Sequence, residues 1–383
     1  MQIDELLKLM VNKAASDLHL TVTSPPVFRI NGELIPQEDL SPITARDTEV
    51  VLEQIATQDQ RSAFDRESEL DCTYTLPGLA RFRVSALRQS GVISLAFRFI
   101  PFYIPSIDEW GLPQILKELI LRPKGLILVT GPSGSGKSTT LAAMLSHLNN
   151  TVTRSVITIE DPIESVFRNK KCLIRQRNLK ADTKSFATAV THALRHDADV
   201  IVIGEMRDLD TISAAITAAE TGHLVLATLH TVDAPQSIDR IIDVFPFGQQ
   251  QQIRVQLSQV IEAIVSQALL PRIDRGRIAA FEIMLASETI RRKIREAKVF
   301  EIPVTIEVST PEGMQTLDQA LAGLVKRKIV KLEDAIAKST NPLKLHRFIE
   351  SEAEVVTCQN IIGNNCEETK KVLNGQEKNT CSR

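Results

Sequence analysis

The sequence predicts an α/β protein: a core of buried parallel strands alternating with helices, a smaller α+β domain before it and a helical part after it. Three observations carry this. Four nearly continuous β-branched apolar runs, GLILVTG (125–131), SVITIED (155–161), ADVIVIG (198–204) and HLVLATLH (223–230), suit strands buried on both faces of a parallel sheet. Helical patterns at 137–148, 184–196 and 209–221 lie between them, which makes a βαβ series. The first hundred residues instead carry short alternating runs broken by turn signals, the pattern of a largely antiparallel sheet.

In chain order, Ile3, Leu6, Leu7, Met10, Val11 and Ala14 recur at helical spacing and predict an opening helix. SDLHLTV (16–22) and VFRINGELI (27–35) follow. Asn31-Gly32, set between apolar-bearing runs, predicts a type I′ hairpin. One helical stretch is expected over 43–64. Residues 71–100 then hold three alternating strands, separated at Pro77-Gly78 and Ser90-Gly91. Residues 1–100 are therefore expected to form one domain. Residues 101–113 hold three prolines and the only tryptophan, Trp110, and are expected to be a linker. The core is expected over 114–285. After 231 the pattern is mostly helical: Ile253, Leu257, Val260, Ile261, Ile264 and Val265 form one stripe within 249–270. Residues 313–327 and 332–339 predict two more helices, within a helical part expected over 286–351. From 352 the chain is rich in Asn, Glu and Lys, and a disordered tail is expected over 352–383.

The chain has 383 residues, 43% of them apolar and 24% charged, which excludes wholly disordered, collagenous and coiled-coil classes. With 45 basic against 47 acidic residues the net charge is −2. There is no bulk positive field for a nucleic acid, and none is expected as a partner. No apolar stretch approaches the roughly 18–20 residues of a spanning helix, and the acidic start MQIDELLKLM lacks a signal's apolar core. Neither a transmembrane segment nor a secretory signal is expected, so any membrane association would come through partner proteins. Five cysteines without a CxxC pair read as reduced thiols. His192 and His196 stand four apart on a predicted helix, but with no third ligand beside them they read as a solvated or packed pair.

The chemistry concentrates after the first buried run. Gly131-Pro132-Ser133-Gly134-Ser135-Gly136-Lys137-Ser138 fits GxxxxGK[ST], between a strand and a helix. Such glycines let successive backbone N–H groups curl around a phosphate, and the helix N-terminus adds partial positive charge. Lys137 would reach the β- and γ-phosphates of ATP, and the Ser138 hydroxyl would ligate Mg2+. Hydrolysis also needs a carboxylate near metal and water. Asp161 and Glu164 follow the second run, Glu205 the third and His230 the fourth. Ligand crevices in such sheets lie outside the carboxyl ends of the strands, so these residues are expected to converge.

The motifs ITIEDPIE (157–164), VIVIGEMRD (200–208) and AAETGHLVLATLHT (218–231), after GPSGSGKST, resemble the secretion-type motor ATPases. Among these the chain looks most like the type IV pilus retraction ATPases, the PilT/PilU group. SDLHL (16–20) and GMQTLDQAL (313–321) fit that group too, and the likeness covers roughly residues 1–350. It implies a Walker A loop over 131–139, ending at Thr139, an aspartate box over 157–164, a Walker B segment with Glu205 in place of the usual aspartate, and a histidine box containing His223 and His230. It further implies that Glu164 polarises the attacking water. Glu205 would hold a water on Mg2+ or share the base role, and the sequence does not separate the two assignments. Asp161 and His223 would lie in the nucleotide site, His230 would sense the γ-phosphate, and Arg81 and Arg98 would reach the nucleotide from the N-terminal domain. The expected architecture is a PAS-like domain followed by a RecA-like motor. The expected assembly is a cytoplasmic homohexamer, peripheral at the inner membrane. It would act on a pilus platform protein there, alone or beside a second pilus motor ATPase.

One stretch departs from the group. Its C-terminal helix carries AIRNL-x-RE; here Ile290, Arg291, Arg295 and Glu296 match, and Thr289, Arg292 and Lys293 do not. That bears on coupling to the pilus base and not on ATP hydrolysis. The alternative among motors is an assembly or secretion ATPase, and a nucleic-acid translocase is the alternative from another class.

Overall fold

The computed structural model describes residues 2–30, 32–100 and 103–350. Asn31, the first two residues of the expected linker and the expected tail with Cys358, Cys366 and Cys381 lie outside the described residues. Two compact units divide the chain, one from Met1–Trp110 and Ala142–Gly204, the other from Gly111–Leu141 and Glu205–Arg383. This grouping differs from the expected boundaries, because 142–204 joins the N-terminal residues.

The first unit opens with strands β1 (Asp17–Leu20), β2 (Val27–Ile30), β3 (Glu33–Pro36), β4 (Glu69–Leu76), β5 (Ala80–Gln89) and β6 (Val92–Ile100). They form an antiparallel sheet of order β3-β2-β1-β6-β5-β4. Ile30 pairs with Glu33, which leaves a two-residue turn, and Gly32 takes the positive φ of 92° such turns need. Helices α1 (Ile3–Asn12), α2 (Ala45–Ile55) and α3 (Gln58–Glu67) cover one face. Leu7, Met10, Val51 and Phe64 from the helices pack with Leu18, Phe28, Phe82, Val84, Leu95 and Phe97 from the strands. The stretch 43–64 is two helices rather than one. Ala56 and Thr57 are extended, and Thr57 makes a capping box with Gln60, which starts a new helix there.

Seven further strands follow: β7 (Gly125–Thr130), β8 (Ser155–Glu160), β9 (Leu173–Asn178), β10 (Val200–Ile203), β11 (Leu224–Leu229), β12 (Ile261–Pro271) and β13 (Arg277–Leu285). The helices among and after them are α4 (Ile115–Ile120), α5 (Lys137–Thr151), α6 (Phe186–Ala193), α7 (Leu209–Glu220), α8 (Ala234–Asp243), α9 (Phe247–Val260), α10 (Glu288–Arg295), α11 (Ile302–Val308), α12 (Leu317–Lys326) and α13 (Leu332–Ile336). In the first unit β10, β8 and β9 are parallel neighbours. In the second, β11, β7 and β12 are parallel and β13 returns antiparallel on β12.

The structure corrects the helical reading after 231. The stripe of 249–270 is a helix only to Val260; Ile261 turns extended (ψ 130°) and begins β12. From Ala263 to Ala268 every β12 residue is buried. A run buried on both faces has no alternation to distinguish it from a helix. In the C-terminal part, Leu317, Leu321 and Leu324 of α12 pack with Ala268 and Leu270 of β12, and Leu345 joins them. Asp318, buried beside them, accepts hydrogen bonds from Ser339 Oγ (2.6 Å), Thr340 N (3.1 Å), Thr340 Oγ1 (2.8 Å) and Asn341 N (3.1 Å). Arg291 of α10 donates to the carbonyl of Ser258 (2.8 Å) and to Glu262 (2.9 Å), and so ties α10 to the α9–β12 junction. No helix among the described residues is long and apolar enough to cross a membrane.

Candidate functional site

In the second unit, β7 is buried along its whole length and delivers the chain to Gly131. Gly131, Gly134 and Gly136 take φ of 140°, 75° and 94°. Glycine is required at Gly131 for a second reason: a Cβ there would collide with Gln267 O and lie 2.7 Å from Ser135 Oγ. The loop passes directly into α5, which begins at Lys137. Lys137 is buried, and its ammonium donates to the carbonyls of Gly131 (2.8 Å) and Pro132 (3.0 Å). A cation thus sits within a glycine loop at a helix N-terminus, which is an anion-binding arrangement. Ser138 and Thr139 are exposed at the start of the helix.

Two neighbouring strands frame this loop. On one side β12 pairs with β7, Ser266 opposite Thr130, and their hydroxyls bond at 2.8 Å. Gln267, one residue further, is buried; its Nε2 donates to Ser135 O (2.5 Å) and its Oε1 accepts from Thr140 Oγ1 (2.8 Å). On the other side β11 pairs with β7 up to Leu229 opposite Thr130, so His230 leaves the sheet at the edge where Gly131 does. Met206 N donates to Thr228 O (3.1 Å) and holds the Glu205 segment against β11. Glu205 Oε1 then meets both Arg207 Nε (2.5 Å) and His230 Nε2 (3.1 Å). Burial alone would raise the Glu205 carboxyl, but Arg207 and His230 outweigh it and hold it below its ordinary value. Past His230, Asp233 caps α8 by accepting from Gln236 N (2.8 Å), and Glu282 of β13 accepts from Ala234 N (2.8 Å).

His223 does not join this edge. It stands before Leu224, which pairs with Gly125, and its Nδ1 lies 3.2 Å from Thr221 Oγ1 and 3.1 Å from Ala218 O. A six-residue strand, on the order of 20 Å at the usual rise, separates it from His230.

In the first unit, β8 and β10 are parallel with Ile159 opposite Ile203, so Glu160-Asp161 and Gly204 share one edge. Asp161 and Glu164 are exposed. Glu160 is the enclosed carboxylate there: it accepts from Thr158 Oγ1 (2.5 Å) and Gln176 Nε2 (3.0 Å), and burial raises it. Arg81, Arg83 and Arg98 share the outward face of β5 and β6, opposite the packed Phe82, Val84 and Phe97. Arg98 is committed within its own domain, its Nε 2.8 Å from Asp17 Oδ1, and Arg83 lies 3.8 Å from Asp71. Arg81 donates to Thr73 Oγ1 (2.8 Å); burial lowers its affinity for its proton, and Glu160 and Asp182 oppose that.

The structure therefore brings together the loop 131–138, Glu205 and His230, and sets His223 apart. Arg207, Gln267 and Glu160 were not anticipated. The first lies two residues beyond Glu205 in GEMRD, and Glu160 directly precedes Asp161; Gln267 belongs to no motif and is found only through the β12–β7 register. Among the described residues no cluster of three His, Cys, Asp or Glu could hold a metal alone. Mg2+ needs no such cluster. It takes one or two hard oxygens besides phosphates and water, and the Ser138 hydroxyl and Glu205 carboxylate are donors of that kind.

The model of the type II/IV secretion system protein family matches residues 1–331. The type IV pilus retraction ATPase PilT of Pseudomonas aeruginosa is 45% identical over 342 residues, 89% of this chain and 99% of that protein. A twitching motility protein of Neisseria gonorrhoeae is 43% identical over 317 residues, 82% of this chain and 84% of that one. The crystal structure of the pilus retraction motor PilT with bound ADP superposes with a TM-score of 0.85 at 43% identity, covering 91% of this chain and 99% of that one.

Proposed function

The chain belongs to the type II/IV secretion system protein family, and on that premise we propose that it is an ATP-hydrolysing motor that powers type IV pilus retraction. The observation that carries this is Lys137, held inside the 131–136 loop on the strand edge that also presents Glu205 and His230. ATP binds with its phosphates in the loop, and phosphate oxygens replace the carbonyls of Gly131 and Pro132 on the Lys137 ammonium. Ser138 and Glu205 would hold Mg2+, which would supply charge neutralisation for the bound phosphates. Glu205 holds or activates water. His230, already bonded to Glu205, senses the γ-phosphate. In this reading Glu164 polarises the attacking water, Asp161 lies in the same nucleotide site, and Arg81 and Arg98 are the candidate contacts from an N-terminal domain. Arg98, bonded to Asp17, is the weaker candidate for that contact.

In this reading the motor works as a cytoplasmic homohexamer at the inner membrane and turns a platform protein. Purified protein should hydrolyse ATP with Mg2+, and Lys137→Ala and Glu205→Ala should each abolish turnover; full activity in either variant refutes the site. The departures at Thr289, Arg292 and Lys293 bear on coupling to the pilus base and not on ATP hydrolysis; the second reading is an assembly or secretion motor. Gene deletion separates the two. Loss of retraction leaves surplus surface pili, and loss of assembly leaves none.

A further inference from the structure

We propose that Gln267 is a positioning residue that holds the phosphate loop in its anion-binding form before nucleotide arrives; this rests on the nucleotide-site reading above. The argument begins with one peptide plane. In a trans peptide the C=O and the following N–H point in opposite directions. Gln267 Nε2 takes the Ser135 carbonyl at 2.5 Å, on the β12 side of the loop. The Gly136 N–H is thereby aimed away from β12, into the concavity. A loop that binds phosphate needs its N–H groups turned inward and its carbonyls turned out, and each outward carbonyl that is buried needs a donor.

The amide is itself locked. Thr140 Oγ1, in the first turn of α5, donates to Gln267 Oε1 at 2.8 Å, which leaves Nε2 facing the loop. Gln267 therefore bridges the middle of the loop and the helix that follows it, from a position 127 residues after Thr140 in the sequence. Two glycines leave room for it: a Cβ on Gly136 would come within 3.0 Å of Nε2, and one on Gly131 would collide with the Gln267 carbonyl. Ser135 does not restrain itself, since its Oγ is buried with no hydrogen-bond partner among the described residues.

The test is equilibrium binding of a fluorescent ADP analogue to the full chain, from pH 5.5 to pH 8. Wild type, Gln267→Leu, Gln267→Glu and Thr140→Val are compared, with melting temperatures to confirm folding. Gln267→Leu leaves the Ser135 carbonyl without its donor and should weaken binding about tenfold at every pH. Gln267→Glu presents a carboxylate to that carbonyl at pH 8. At pH 5.5 the acid regains an O–H donor, and binding should return towards the wild-type value at the same pH. Thr140→Val should give a smaller, pH-independent loss. Wild-type affinity in Gln267→Leu, or a Gln267→Glu deficit that stays constant relative to wild type across pH, overturns the proposal. A wild-type chain that binds no nucleotide at any pH refutes the site reading itself, and the positioning role falls with it.

Discussion

Replacing Glu282 with Gln should stabilise the folded chain at pH 8 and destabilise it by ~1 kcal/mol near pH 4.5. Glu282 is buried on β13, with Asp233 and Asp318 adding negative charge around it. Burial first, and those carboxylates after it, push it up to about 7 from 4.5, against the hydrogen bonds it accepts from Ala234 and Leu317. The sign follows from proton counting. Between about 4.5 and 7 the unfolded chain has released this proton and the folded chain keeps it, so stability falls as pH rises through that window and is level above it. The full penalty is ~3 kcal/mol. A glutamine oxygen still accepts from Ala234 N, but its NH2 group cannot accept from the Leu317 N–H, which costs ~1 kcal/mol. The net gain at pH 8 is therefore ~2 kcal/mol, about 4–8 °C in melting temperature for a domain of this size. Thermal unfolding followed by circular dichroism at pH 4.5, 6 and 8 measures it. An equal shift at all three values, or a loss at pH 8, would refute the assignment of the penalty to this buried charge.

Gly131→Ala should abolish binding of the ADP analogue and lower stability by ~1–3 kcal/mol, because the new methyl meets the β12 backbone; retained binding would contradict the tight β7–β12 approach. Asp318→Ala leaves four hydrogen-bond donors around residues 339–341 without their acceptor and should cost ~3 kcal/mol, read as increased hydrogen exchange over α12 and residues 339–349. Thr316→Ala removes the side-chain arm of the α12 capping box, the bond from Gln319 N to Thr316 Oγ1, and should cost ~1 kcal/mol in the same region, with ATPase activity retained.

The parallel strands and the phosphate loop are legible because their signals are local: β7, β8, β10 and β11 are nearly continuous apolar runs, and the loop is eight consecutive residues. Where a position depends on pairing, the sequence was silent. β9, LIRQRN, buries only Ile174 of its six residues, and it is a strand because β8 offers it an edge. β12 reads as helix in the sequence because Val260 and Ile261 continue the α9 stripe across the junction. His223 and His230 share one motif, yet a strand places them at opposite edges of a sheet. The sharing of Glu205 by Arg207 and His230, and the reach of Gln267 to the loop, depend on register and rotamer, which no spacing rule contains.

The bond between Thr130 and Ser266 joins residues 136 apart in the chain. That distance matters on the ribosome. Strands β1 to β6 all lie within the first hundred residues and can pair as soon as they emerge. The buried strand β7 emerges next, and β11 and β12, the strands that flank it in its unit, have not yet been made. At a synthesis rate of about 5–20 residues per second, its apolar side chains wait on the order of ten seconds for β12. Nascent chains stalled between residues 140 and 260 should therefore be the ones that chaperones hold most strongly, and the nucleotide loop should be among the last parts of the molecule to take shape.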